Sequence, residues 1–565
     1  MLKINLISLY QESFRKHWDS SAISNYEGSH YTTGELATEI AKLHLLFDQC
    51  GLQKGDKIAV MGKDTAEWVI AFMATITYGC IVVPVLKDFS PQDATSILNH
   101  SESKFLFIDA DLWSNLRPSE LSSLQQACTI QERKSLFSQE GEASLEQLFA
   151  QLDKAFETRY PKGYSRDDIA YYQTPNDQLI LLNYTSGTTG FSKGVMVTGN
   201  NIAGNVLWCI ENKIIHIGDK LLSFLPLAHT YGCMINVLLA LTTGVHVTFL
   251  GKMPTPRILS AAFKAVRPNV IISVPLILEK IYTGSIAPQL RDPKIKFMLA
   301  IPGLRNLIYK KIRNKLLEGM GGAARLVIVG GAALNPEIGA FLKKIKFPLS
   351  VGYGMTECAP LISFTPDSEQ WRLGSCGQTL KNYMEVRIAP AFDESGELIQ
   401  QKDEHGNTIG EIQTRGENTC LGYYKNEEQT QALFTEDGWL RTGDLGTIDK
   451  AGFIYIKGRS KTMLLSGNGQ NIYPEEIEAK ISLLPHVLEC LVLMRKGHLE
   501  ALVVLNPQSI EAAGISEEEA WQSILEGRKE VNTQLANYEQ IQSFELHPEP
   551  FVKTPKQSIK RFLYK

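Results

Sequence analysis

Residues 57–61 read as a short apolar strand, residues 64–78 as a helix opened by Asp64 and closed by Gly79, and residues 81–85 as a second strand. Such a strand–helix–strand unit fixes a parallel sheet covered by helices. The same grammar returns with a strand at 221–225, a helical stretch at 231–241, a stop at Gly244 and a strand at 245–249. No short period recurs, so solenoid and propeller architectures are set aside.

From Glu385 onward the pattern changes to short alternating stretches separated by Gly and Asp, for example 410–415 and 452–457, which read as hairpins. A boundary is expected at Gly458-Arg459-Ser460-Lys461. Beyond it, Pro474 followed by Glu475 and Glu476 makes a helix start, because Pro suits the first turn and carboxylates favour the positive end of the helix dipole. Ile477 and Ile481 would share one face of that helix. The fold class is therefore α/β: a large N-terminal domain, 1–460, of βαβ-built sheets with a β-rich subdomain, and a small α+β C-terminal domain, 461–565. A chain of 565 residues fits this division, given a prior of ~100 to 200 residues per domain.

A composition of 44% hydrophobic and 21% charged residues is that of a globular protein, and a net charge of −4 leaves no electrostatic footprint for nucleic acid. Nine Cys without a C-x-x-C pair point to reduced thiols in the cytoplasm rather than to a zinc knuckle or a disulfide scaffold. Residues 1–14 carry Lys3 and Glu12 and lack the apolar core of a signal peptide. The most apolar runs, such as 237–250, are interrupted by Thr, Gly and His and fall short of the ~20 residues a spanning helix needs.

The most informative segment follows a strand at 179–184: Thr185-Ser186-Gly187-Thr188-Thr189-Gly190-Phe191-Ser192-Lys193-Gly194. Glycines let backbone N–H groups turn toward an anion, hydroxyls add donors, and Lys193 adds a full charge, so the loop can hold a triphosphate. Walker A spacing fails, because Ser192 rather than Gly precedes Lys193 and Gly194 rather than Ser or Thr follows it. On its own the segment could be a polar hairpin.

The loop resembles the phosphate loop of the adenylate-forming superfamily of acyl-CoA synthetases, luciferases and peptide-synthetase adenylation domains. The resemblance runs on, in order, through Pro226-Leu227-Ala228-His229, Gly330-Gly331-Ala332-Ala333-Leu334, Tyr353-Gly354-Met355-Thr356-Glu357, Thr442-Gly443-Asp444-Leu445 and Gly458-Arg459-Ser460-Lys461. It implies ATP, Mg2+ and coenzyme A as ligands. Tyr353 and Gly354 would meet the adenine, Gly331, Ala332 and Ala333 would wall it, Thr356 would meet phosphate, and Glu357 would hold magnesium. Asp444 would bind the ribose diol and Arg459 would make a second nucleotide contact. His229 would line the junction with the acyl pocket, although a His after Leu-Ala is as often a core residue. Lys461 would mark the hinge of a mobile small domain, and residues 467–472 would approach the pantetheine arm.

One position departs from the family. The resemblance puts Ser558, within Thr554-Pro555-Lys556-Gln557-Ser558-Ile559-Lys560-Arg561, where the adenylation lysine belongs. Lys556 or Lys560 is expected to reach the site instead; slow adenylation, or a protein that only binds nucleotide and acyl group, are the alternatives. Val274-Pro275, 278–282, the segment up to Met320, and Phe341 resemble long-chain fatty acyl-CoA synthetases, with Gly232 and Ala240 flanking the acyl pocket. The implied activity is a ligase that activates a medium- to long-chain fatty acid as acyl-AMP and passes it to coenzyme A, with an acyl carrier protein as the alternative acceptor. Lys310, Lys311 and Arg313 read first as a solvated helix face, and otherwise as a contact to a membrane or an acidic carrier.

Overall fold

The computed structural model describes residues 1–185, 192–392, 398–399, 401–403, 405–465, 471–495, 497–554 and 559–564. Within these, two seven-stranded sheets dominate. One runs Ser135–Ser138, Gln126–Thr129, Ser103–Ile108, Lys57–Met61, Ile81–Val85, Leu179–Thr185 and Lys193–Thr198; it is parallel except at its two outer strands. The other runs Leu349–Val351, Leu326–Val329, Val270–Ser273, Lys220–Ser223, His246–Phe249, Ser21–Asn25 and His30–Thr32, with only the last strand antiparallel.

Helix Ala66–Tyr78 lies buried almost throughout its length, with Trp68 stacked on Phe72 at 5.3 Å. Gly79 closes it at φ +94°, a conformation that favours glycine. Its start departs from the sequence reading: the Thr65 hydroxyl caps it, while Asp64 turns away and accepts the Leu227 N–H at 2.6 Å. Burial pushes the Asp64 carboxyl up to about 6. A tie across 163 residues cannot be read from local pattern. The stretch expected to be helical at 231–241 is a broken helix, α over Thr230–Cys233, π over Met234–Leu239 and 3-10 over Ala240–Thr242.

A four-stranded antiparallel sheet follows, Met384–Ala389, Gly410–Gly416, Leu440–Ile448 and Ile454–Arg459, where the hairpins were expected. The C-terminal α+β region packs helices Pro474–Ile481 and Glu517–Thr533 on strands Val487–Arg495, His498–Leu505 and Ile541–Leu546. Its apolar cluster, including Ile477, Ile481, Val503 and Ile524, is separate from the main core. Pro474 stands in the first turn and Ile477 and Ile481 share the buried face, as the pattern predicts. All nine cysteines are unpaired. Among the described residues no helix is long and apolar enough to cross a membrane.

Candidate functional site

In the second large sheet, strands Lys220–Ser223, Val270–Ser273, Leu326–Val329 and Leu349–Val351 run parallel, so the segments that leave them emerge on one edge. That edge is where open α/β sheets bind ligands. It brings His229, Val274, Gly330–Leu334 and Tyr353 to one cleft of about 3000 Å³. Gly331 turns there at φ +84°. Thr185, Lys193, Gly331, Ala332, Ala333, Gly354, Thr356, Glu357, Asp444, Arg459 and Lys560 line the same cleft. Ser186, Gly187, Thr188, Thr189, Gly190, Lys556 and Ser558 lie outside the described residues, as does most of 467–472.

Strands Leu179–Thr185 and Lys193–Thr198 pair antiparallel with Thr185 opposite Lys193, so the glycine loop is the connection between them. Lys193 Nζ donates to Gln429 Oε1 at 2.6 Å and sits 4.8 Å from the centre of the Tyr423 ring. Burial and the neighbouring Lys461 charge lower its pKa, while Glu357 pulls the other way. A cation held this way, partly desolvated and without a carboxylate in direct contact among the described residues, suits an anionic ligand.

Tyr353 and Asp444 meet from different sheets: the phenol donates to Asp444 Oδ2 at 2.7 Å, and Arg459 Nε stands 3.1 Å from Oδ1. Asp444 faces Arg459 across the hairpin register of strands Leu440–Ile448 and Ile454–Arg459. Its carboxyl is only 9 % exposed, and burial raises its pKa against the opposing pull of Arg459. Each carboxylate oxygen keeps a further lone pair, so the pair of oxygens can still accept from a vicinal diol. Beyond that contact the Arg459 side chain is 70 % exposed. Gly354 follows Tyr353 so closely packed that a Cβ there would collide with the Pro360 carbonyl.

Thr356 and Glu357 lie on a short 3-10 turn and are both buried. Tyr423 donates to Glu357 Oε1 at 2.8 Å. No cluster of three or more metal-ligating side chains occurs among the described residues. A lone carboxylate with one oxygen left for the cleft suits magnesium, which keeps waters and takes its other ligands from nucleotide phosphates. The residues present therefore fit such an ion. Tyr423 and Gln429 were not singled out from sequence: the segment around Tyr423 reaches the site by pairing with the strand after the glycine loop, Met196 N–H to Gly422 O at 2.9 Å and Tyr424 N–H to Gly194 O at 2.8 Å. Only the Tyr423-Tyr424 doublet could have hinted at it.

His229 caps the broken helix, its Nδ1 accepting the Tyr231 N–H at 3.2 Å, and it borders the cleft rather than the core. Past it the cleft turns apolar, along Leu225, Tyr231, Ile235, Phe263, Ile312 and Leu316. Gly232 lines this part, whereas Ala240 is wholly buried away from it, because the helix is irregular between the two. Phe341 stands behind the wall, against Tyr282 and Tyr309. Opposite, the C-terminal region contributes Lys560, held by its backbone N–H to Val552 O at 2.9 Å, and Arg561, paired with Glu478.

The model of the family described as AMP-binding enzyme matches residues 10–424. The chain is 27% identical to the long-chain-fatty-acid–CoA ligase FadD15 of Mycobacterium bovis, covering 94% of this chain and 89% of that one. It is 28% identical to the peroxisomal long chain acyl-CoA synthetase 7 of Arabidopsis thaliana, covering 95% and 80%. Among solved structures, ATP-bound MatB from Rhodopseudomonas palustris superposes with a TM-score of 0.74 at 24% identity over 99% of this chain and 98% of that one. The anthranilate CoA ligase AuaEII with anthranoyl-AMP reaches 0.76 at 19% identity over 100% and 97%.

Proposed function

The chain belongs to the AMP-binding enzyme family of adenylate-forming ligases, and from that premise we propose that it activates a medium- to long-chain fatty acid and transfers it to coenzyme A. One observation carries the reading. The cleft that holds Lys193, Glu357, Tyr353 and Asp444 is also lined by apolar side chains, among them Leu225, Ile235, Phe263, Ile312 and Leu316. A polar anion site joined to an apolar one suits a reaction between a nucleotide and an amphiphilic acid. Relatives named long-chain ligases over most of the chain support the acyl class.

In the first half-reaction a carboxylate oxygen attacks the α-phosphorus of ATP, the bond to the β-phosphate oxygen breaks, and pyrophosphate leaves. Tyr353 offers an aromatic face to the base, and Asp444 accepts from the ribose hydroxyls. Lys193 offsets the charge that gathers on the phosphates, an electrostatic term worth most in a desolvated cleft. Magnesium, when bound beside Glu357, would neutralise phosphate charge. In the second half-reaction the thiol sulfur of coenzyme A attacks the acyl carbonyl carbon, AMP leaves, and the thiol proton passes to solvent.

The resemblance puts Ser558 at the family's lysine position, and we assign that lysine's part to Lys560, which lines the cleft. Mass spectrometry after mixing the protein with MgATP, coenzyme A and a homologous series of fatty acids tests the reading: acyl-CoA should form, with the preferred chain length in the medium to long range. ATP binding without acyl-AMP or acyl-CoA would leave a binding protein. Lys560→Ala should slow single-turnover acyl-AMP formation by roughly 100-fold; an unchanged rate would remove Lys560 from the mechanism.

A further inference from the structure

Each of the two large sheets delivers one side of the cleft. Strand Leu179–Thr185 of the first leads into the glycine loop, while strand Lys220–Ser223 of the second leads into the 226–229 turn and the broken helix behind it. A carboxylate held on one side reacts with a phosphate held on the other only if the two sides keep their spacing.

Two side chains of the first sheet and its loops hold the 226–229 turn at neighbouring residues. Asp64, in the loop after strand Lys57–Met61, accepts the Leu227 N–H at 2.6 Å, and Asn183 Nδ2 donates to Ala228 O at 2.9 Å. Asn183 is buried on strand Leu179–Thr185, at the base of the glycine loop. The turn is stiff in itself. The His229 N–H donates to Pro226 O at 3.2 Å, His229 Nδ1 accepts the Tyr231 N–H, and a Cβ on Gly232 would collide with the Pro226 carbonyl. A shift of Leu227 and Ala228 would therefore carry His229, Tyr231 and Gly232 with it, and these three line the cleft. Asp64 and Asn183 are not among the described residues that line it, so each acts through the turn.

We infer that Asp64 and Asn183 are positioning residues for the first half-reaction, fixing the 226–229 turn, and with it the acyl side of the cleft, against the strand that leads into the glycine loop. This role rests on the ligase reading. The Asp64 contact is also titratable. Burial pushes its carboxyl up to about 6; the Leu227 N–H and Lys87 pull it down, and Asp88 and Asp109 push it further up. The nearby Cys233 thiol is kept neutral by its own burial. Above that pH a carboxylate accepts the Leu227 N–H, and below it a neutral acid, a weaker acceptor, takes over. The turn is thus held more firmly on the alkaline side.

Single-turnover acyl-AMP formation by the full chain, followed from about pH 5 to about pH 8 with MgATP and a fatty acid, tests this. Asp64→Asn keeps a neutral acceptor of the same shape at every pH, so the parent should exceed it by about 10-fold near pH 8 and meet it near pH 5. Asp64→Ala and Asn183→Ala should each lower the rate by roughly 100-fold near pH 8, while the ATP concentration at half-maximal rate stays unchanged. A crystal structure of Asp64→Ala reads the geometry without turnover: the 226–229 turn and His229 should move by about 1 Å or more. An Asp64→Asn profile parallel to the parent's, Asp64→Ala turnover at the parent rate, or an unmoved turn in that crystal would each overturn the inference. If the parent itself forms no acyl-AMP, the ligase reading fails, and the crystal structure alone decides whether the two residues hold the turn.

Discussion

Lys193 shows how a single charge is prepared for work. Gln429 takes one of its N–H bonds at 2.6 Å, the Tyr423 ring lies beneath it at 4.8 Å, and Tyr423 in turn holds Glu357. The cation is thus fixed by neutral groups and retains its charge for a ligand, in a place where burial already disfavours that charge. Lys193→Ala should reduce acyl-AMP formation in a single turnover by roughly 100-fold, with little change in the urea midpoint because no ion pair among the described residues is broken. A fall of less than a few-fold would show that the lysine serves only the hairpin. The place of the lysine at the cleft was legible in sequence, because a cation after a run of Gly, Ser and Thr has few structural reasons to exist. Tyr423 and Gln429 were not, because their link to it spans more than 200 residues and leaves no local pattern.

At the scale of elements, legibility followed periodicity. Strand Leu179–Thr185 formed within a residue of expectation, and helix Pro474–Ile481 starts at the expected proline. The helical stretch before Gly244 did not, since a run apolar on every side gives no phase by which to see π and 3-10 turns. Helix Pro474–Ile481 holds a titratable clasp that no pattern shows: Glu478 accepts the Val492 N–H at 2.7 Å, pairs with Arg561 of the C-terminal tail, and is 15 % exposed. Burial pushes its carboxyl up to about 7 from 4.5, against the pull of Arg561. The native state therefore holds the proton more tightly than the unfolded chain does. That stabilisation is complete below about pH 4.5 and is lost as pH rises through about 7, a difference on the order of 3 kcal/mol. Glu478→Gln, which can still accept from Val492, should flatten the decline in urea midpoint between these limits. A variant that declines as steeply as the parent would place the titration elsewhere.

At the scale of the whole molecule, the C-terminal region rests on the large one through few polar ties. Asn335 Nδ2 donates to Ala479 O at 2.6 Å, the Tyr473 hydroxyl donates to Gln401 Oε1 at 3.2 Å, and Lys457 lies 3.6 Å from Glu476. Its main apolar cluster is its own, but a smaller one, in which Met463 and Tyr473 pack with Ala391, Ile399, Ile409 and Leu445, spans the boundary and would have to part in a rotation about the link. The two half-reactions of the proposed function would need different surfaces over one carbonyl, first a cation near the phosphates and then a thiol, and rotation would supply both without a second active site. Lys461 is where such a turn would be absorbed: it is exposed, and its N–H makes no backbone hydrogen bond among the described residues, whereas Ser460 and Thr462 on either side do. Lys461→Pro therefore removes no described hydrogen bond; it fixes φ and takes away the charge that acts on Lys193. Acyl-AMP should still form at close to the parent rate, while transfer of preformed acyl-AMP to coenzyme A should fall by roughly 100-fold or more, the cost of a misplaced reactant. If both half-reactions fall together, the substitution has disturbed the cleft; if neither does, the turn is taken up at another position in the link.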